Sequence, residues 1–133
     1  MATFDPQERE EAGRPMATRA ERLLELSERD EQGWSVLALK GRLDSVTVGR
    51  FTERCAAWID AGRGKVVLDL SNLDYVSSAG LSSILGAAKR AKERNVRFVV
   101  AGLKGLVKEV FAISGFETVL SVFPDVQSAI AAS

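Results

Sequence analysis

The chain alternates between two hydrophobic periods, and each change of period marks an element boundary. Leu24 and Leu26, set among polar neighbours, read as a short strand. Residues 30–33 (Asp-Glu-Gln-Gly) turn the chain, and Trp34, Val36, Leu37, Ala38 and Leu39 give a second strand ending at Gly41. Two strands joined this tightly predict an antiparallel hairpin. From Ser45 the period becomes helical, with Val48, Phe51, Cys55, Trp58 and Ile59 on one face. Ser45 or Thr47 is placed to cap that helix, and Gly62 to close it.

Strand and helix then alternate. Val66 to Leu70 is a short apolar run, the pattern of a strand covered on both faces. A loop over 71–78 leads into a helix over 78–94, with Leu81, Ile84, Leu85 and Ala88 inward and Asn95 as its stop. Val96 to Ala101 is another buried strand and 102–105 a turn. Leu106, Val107, Val110, Phe111 and Ile113 make the inward face of a third helix, ended by Gly115. Val119 to Phe123 is a last strand, and Pro124 opens a C-terminal helix through Ala132. The order β-β-α-β-α-β-α-β-α predicts a single α/β domain: a mixed, mainly parallel sheet of four or five strands, an antiparallel edge and about four helices. Sites in such sheets gather at the carboxyl ends of the strands, which singles out the loops over 41–45 and 71–78.

Composition narrows the chemistry. The 133 residues suffice for one domain with a self-sufficient core. There is no histidine, which removes an imidazole base, a histidine phosphorelay and any His-ligated metal. The single Cys55 lies on an apolar helical stripe and reads as a structural thiol, as Trp58 reads as core. No apolar run approaches the roughly 18 residues that a membrane span needs. The polar N-terminus does not resemble a signal peptide, so the expectation is a cytoplasmic protein with no membrane insertion and no cofactor.

Formal charge is zero overall, yet residues 1–32 carry net −4 and 33–133 net +4. Residues 1–19, with Pro6, Gly13 and Pro15, read as a flexible acidic extension ahead of a domain over 20–133. The basic run Lys89-Arg90-Ala91-Lys92-Glu93-Arg94 sits where cations complement a helix C-terminus, so no nucleic-acid partner is expected. Gly62-Arg63-Gly64-Lys65 precedes a strand, where a phosphate loop would follow one, and reads as a turn. Asp69 and Asp74 are close in sequence only, with no nucleophile and base to accompany them.

Most information lies in Leu73-Asp74-Tyr75-Val76-Ser77-Ser78-Ala79-Gly80-Leu81. Two hydroxyls stand at the start of a helix whose first turn is small, and free backbone N–H groups there favour an anion. A phosphate on such a serine would project close to two negative charges from a smooth surface. The plainer reading is a serine N-cap followed by residues small enough to let the helix pack closely on the sheet.

This segment, with Asp69-Leu70-Ser71 before it, resembles the signature of STAS domains, which include the bacterial anti-sigma factor antagonists. Gly41-Arg42-Leu43-Asp44 is similar to a second element of that family, a Gly-x-Leu-Asp turn after the second strand. The likeness runs from about residue 21 to the end. It implies a switch: the unmodified antagonist binds an anti-sigma factor that is a serine kinase and so releases the sigma factor. Phosphorylation at the start of the second helix weakens that complex, and a serine phosphatase restores it.

Many family members place the acceptor directly before the glycine, where this chain has Ala79. The resemblance puts the acceptor on Ser78, with Ser77 second and Ser82 and Ser83 one turn further on. The same resemblance assigns partner contact to Asp44, Ser77, Ser78, Ala79, Gly80, Leu81 and Ser82. Asp44 has two open roles, as a helix cap or as a group facing the serine and the partner. The competing functional reading is an unphosphorylated STAS subunit docked in an ABC lipid-transport or stress-sensing complex. An enzyme is not expected, although the helix start has room for a nucleotide phosphate.

Overall fold

Gln32 and Gly33 both take positive φ, 51° and 86°, and this tight reversal forces the strands on either side into a hairpin. The computed structural model describes residues 19–132. A five-residue helix α1 (Arg19–Leu23) runs directly into β1 (Leu24–Glu31), which pairs antiparallel with β2 (Trp34–Leu43). There follow α2 (Val48–Asp60), β3 (Lys65–Val76), α3 (Ser78–Glu93), β4 (Arg97–Ala101) and α4 (Gly105–Ser114). A 3₁₀ turn at Phe116–Thr118 leads to β5 (Ser121–Phe123) and α5 (Val126–Ala131). The five strands lie in chain order, with β2 to β5 parallel. This is the expected α/β architecture, with the antiparallel edge where the hairpin places it.

Chain order dictates the layers. Each new parallel strand is added on the same side of the last, so right-handed crossovers carry α2, α3 and α4 over one face. Leu37, Leu39, Phe51, Leu68, Ile84 and Phe111 meet there in the larger core. The short α5 follows the last strand without a further crossover and closes a smaller cluster of Trp34, Val36, Val67, Val99, Ala129 and Ile130 on the other face. Lys65 Nζ and the Arg97 guanidinium lie 5.5 and 5.7 Å from the Trp34 ring centre, adding cation–π cover over the indole.

The structure corrects several expectations. The segment read as a loop over 71–78 is the second half of β3, which runs unbroken to Val76. Pairing with β2 steps from Ala38↔Asp69 to Lys40↔Asn72, and again from Gly41↔Leu73 to Arg42↔Tyr75. Each step inserts one extra residue into β3, a bulge, so the buried Leu70, Leu73 and Val76 fall three apart and lose the strand period. Likewise β2 extends past Gly41 to Leu43.

On α4, Val107 and Phe111 are buried as expected and Val110 is half-buried, but Leu106 is 53% exposed and Ile113 86% exposed. That helix packs on β3 and the 3₁₀ turn through Val107 and Phe111, which leaves Leu106 and Ile113 on its outer side. Leu81, Leu85 and Ala88 on α3 are only half-buried. Val119 is not in a strand; it follows the 3₁₀ turn and is exposed. Nor does Pro124 open the last helix: Asp125 caps it, accepting the Ser128 N–H at 2.8 Å, and the helix begins at Val126. The proposed extension over 1–19 falls outside the described residues except for Arg19, which starts α1.

Truncating the one aromatic that α4 buries deepest tests this arrangement. Phe111→Ala is expected to cost about 3–5 kcal/mol in urea unfolding. Ile113→Ser should stay within about 0.5 kcal/mol, as a surface change.

Candidate functional site: a serine-capped helix at the carboxyl ends of the strands

The end of β2 and the start of α3 are joined at one backbone group. The Leu43 carbonyl accepts the Ser77 N–H at 3.0 Å, fixing where the chain leaves β3. Ser77 is extended (φ −91°, ψ 175°) and caps α3, its Oγ accepting the Gly80 N–H at 3.2 Å. Its carbonyl takes the Leu81 N–H at 2.8 Å. Gly80 is buried beneath the same Leu43 carbonyl. A Cβ there would lie 2.5 Å from that oxygen and 2.8 Å from Val76 Cγ2, so only glycine lets the helix approach this closely.

The Gly41–Asp44 turn is built by its own residues. Gly41 sits at φ 114° with the Leu23 carbonyl against it, closing space that any side chain would need. Asp44 Oδ1 accepts the N–H groups of Val46 at 3.0 Å and Thr47 at 3.3 Å, while Oδ2 takes Arg42 Nε at 3.3 Å. Partial burial works against the charged carboxylate, but the hydrogen bonds from Val46, Arg42 and Thr47 outweigh it and hold Asp44 below its ordinary pKa. Of the two roles open to Asp44, the geometry shows the local one: it ties the turn that leads into α2. Thr47 occupies the cap position of α2 but makes no cap bond with its side chain. Its fully buried hydroxyl instead donates to the Arg42 carbonyl at 2.8 Å and accepts the Asp44 N–H at 3.0 Å. Ser45 is exposed.

The serines of α3 divide their work. Ser77 is half-buried and committed to the cap; Ser83 is half-buried and donates to the Gly80 carbonyl at 2.7 Å. Ser78, the first residue of the helix, is exposed, as are Ala79 and Ser82, with Leu81 half-buried between them. Val46, absent from the residues singled out by motif, adds an exposed apolar side chain on the neighbouring turn. At the same end of the sheet the Arg42 guanidinium lies 4.3 Å from the centre of the Tyr75 ring. Neither of these two was singled out from sequence. Tyr75 faces Arg42 only because the bulge at Asp74 resets the register, and the three-residue spacing Leu70, Leu73, Val76 was the signal available.

Chemically the arrangement offers an exposed hydroxyl at the first residue of α3 beside small and apolar neighbours. Among the described residues no side chain hydrogen-bonds Ser78 to activate it as a nucleophile, and Asp69 spends its carboxylate on the Ser71 N–H at 3.0 Å and hydroxyl at 2.8 Å. Burial pushes the Cys55 thiol up to about 12, so it stays a thiol against the core. Unfolding separates the serines' roles: Ser77→Ala should lose about 1 kcal/mol with its cap, and Ser78→Ala should change stability by less than about 0.5 kcal/mol. Gly80→Ala, which pushes the helix off Leu43, should cost more than either.

The STAS domain profile matches residues 25–129, which takes in both the Leu43 turn and the capped helix. An anti-sigma factor antagonist of Bordetella bronchiseptica, BtrV, is 42% identical over 101 residues, covering 76% of this chain and 84% of its own. Among solved structures, an anti-sigma factor antagonist from Mycobacterium paratuberculosis superposes with a TM-score of 0.78 at 19% identity, covering 88% of this chain and 97% of that one. The Bacillus cell fate determinant SpoIIAA in its phosphorylated form superposes at 0.62 with 19% identity, covering 81% and 96%. With its sequence signature, its topology and its serine-capped second crossover helix all in agreement, the chain belongs to the STAS domain family.

Proposed function

We propose that this chain is an anti-sigma factor antagonist whose unmodified form binds a serine-kinase anti-sigma factor and frees a sigma factor. Phosphorylation on Ser78 then switches it off, and a serine phosphatase resets it. It is a regulatory binding protein, not an enzyme, as the antagonists of its family are. The observation that carries the switch is the division between adjacent serines: Ser77 is spent on the helix, and Ser78 stands exposed beside it.

The physics of the switch follows from that position. A phosphate at the first residue of α3 adds about −1.5 to −2 charges where the helix dipole favours an anion, so it leaves the fold intact. The same charge lands beside Ala79, Leu81 and Ser82 on the first turns of α3, which carry no charge. A partner closing over that patch would have to desolvate the phosphate, which weakens the complex. The named relatives support the antagonist role, and the SpoIIAA neighbour is a protein with a phosphorylated form.

The test is a pull-down from source-cell lysate with wild type and Ser78→Asp, identifying captured proteins by mass spectrometry. Capture of a kinase-fold anti-sigma factor by wild type, reduced at least about tenfold in the Asp variant, is the expected result. Equal capture of transporter or scaffold subunits by both forms would instead make this a docking subunit and reduce Ser78 to a surface residue.

A further inference from the structure

The flank of α3 that carries Ser78 is apolar, and it is turned toward α4. Residues three, four and seven apart share one side of a helix. Ser78, Leu81, Ser82 and Leu85 therefore stand in one row along α3, continued by Ala88, Lys89 and Lys92. The other flank is turned toward α2, where Ser83, Ala87 and Arg90 line a hollow with Thr52 and Cys55. On α4, Val107 and Phe111 point into the core, while Lys108 lies toward β5 with Glu117 and Val122. That leaves Leu106, Val110 and Ile113, again at helical spacing, on the flank toward α3.

The two rows border a seam that the chain itself leaves open. α3 packs closely on α2 but scarcely on α4. Leu81, Leu85 and Val110 are half-buried, and Leu106 stays exposed. Ile113, at 86%, is the most exposed large apolar side chain among the described residues. An apolar row of this length without cover marks an interaction surface. Its far end is basic: Lys89 and Lys92 are exposed and make no ion pair among the described residues, whereas Arg90 and Arg94 are both paired with Asp60.

Shape and charge specify the occupant. The row from Ser78 to Lys92 is about 20 Å long, and a seam of that length between two helices takes a third helix along it, with apolar residues at i, i+3, i+4 and i+7. Two unpaired lysines at one end match acids at the corresponding end of that helix. A second copy of this chain fits poorly. An antiparallel contact that sets Leu106 of one copy on Ile113 of the other brings Glu109 of both to the two-fold axis.

We propose that the seam between α3 and α4 seats one amphipathic helix of the partner protein, its apolar residues on Leu81, Leu85, Leu106 and Ile113 and its acidic end on Lys89 and Lys92. This rests on the antagonist reading above and deepens it, naming the surface and what lies in it. Ser78 stands at the mouth of the same seam, one turn before Leu81. A phosphate there would lose its water to a helix lying in the seam, and would set negative charge beside a helix that is itself acidic.

Calorimetric titration of the anti-sigma factor recovered by the pull-down tests the proposal, using wild type, Ser78→Asp and the double variants Leu106→Ser/Ile113→Ser and Lys89→Glu/Lys92→Glu. Val119→Ser is the control, an apolar residue 63% exposed beside β5 and away from the seam. Each double variant is expected to weaken binding at least about tenfold, and Val119→Ser to bind within about twofold of wild type. The loss in the lysine variant should shrink at high salt, and the loss in the apolar variant should persist. Hydrogen exchange of the bound partner should slow in one helical segment with an acidic end. Thermal melts within a few degrees of wild type check that each variant folds. Binding by either double variant within about twofold of wild type, while Ser78→Asp still fails to bind, overturns this inference alone. So does an equal loss in Val119→Ser, protection of a partner segment that is not helical, or a wild-type dimer in sedimentation that Leu106→Ser/Ile113→Ser abolishes. Recovery of no anti-sigma factor, or full binding by Ser78→Asp, overturns the reading on which it rests.

Discussion

A single carbonyl, that of Leu43, holds the functional end of this molecule together. It accepts the Ser77 N–H and lies against Gly80, so one oxygen sets both the point where β3 ends and the depth at which α3 sits. The rest follows from that contact. With the first turn of α3 pressed onto β2, Ser77 is caught in the cap, Gly80 is forced to be glycine, and Ser78 is left on the outside. The turn that delivers the Leu43 carbonyl is itself fixed by Asp44 and the buried Thr47 hydroxyl, which together satisfy the backbone groups between Arg42 and Val48.

Seen this way, the two sequence elements of the family have mainly structural reasons for their residues. Gly41 is demanded by the Leu23 carbonyl, Leu43 by the core, Asp44 by the turn and Gly80 by the approach of helix to strand. The residues left free by these demands are Ser78, Ala79 and Ser82, all exposed. A rigid support with an exposed edge suits the switch we propose, in which a phosphate on Ser78 would alter charge by about −1.5 to −2 units.

Much of the fold was legible in the sequence because its strands and helices keep clean periods. The hairpin, three crossover helices and their stops at Gly62, Asn95 and Gly115 were all readable, as was a serine cap at the start of α3. What was not legible has physical causes. Two bulges break the alternation of β3, so its second half reads as loop and the pairing of Tyr75 with Arg42 stays hidden. Leu106 and Ile113 satisfy a helical period but meet no surface broad enough to bury them. The Asp125 cap, one residue beyond Pro124, outweighs the proline as the start of α5. The short α1 carries no amphipathic signal in five residues. For the site, the motif identified the two serines, but only the hydrogen bond from Gly80 shows which of them is occupied.

The most direct measurement is phosphopeptide mapping of the protein isolated from cells or treated with the serine-kinase anti-sigma factor we propose as its partner. The account predicts phosphate on Ser78, none on Ser77, and no modification of the Ser78→Ala variant at either position. Phosphate found on Ser77, with Ser78 unmodified, would contradict it, since Ser77 is half-buried and its oxygen takes the Gly80 N–H in the cap.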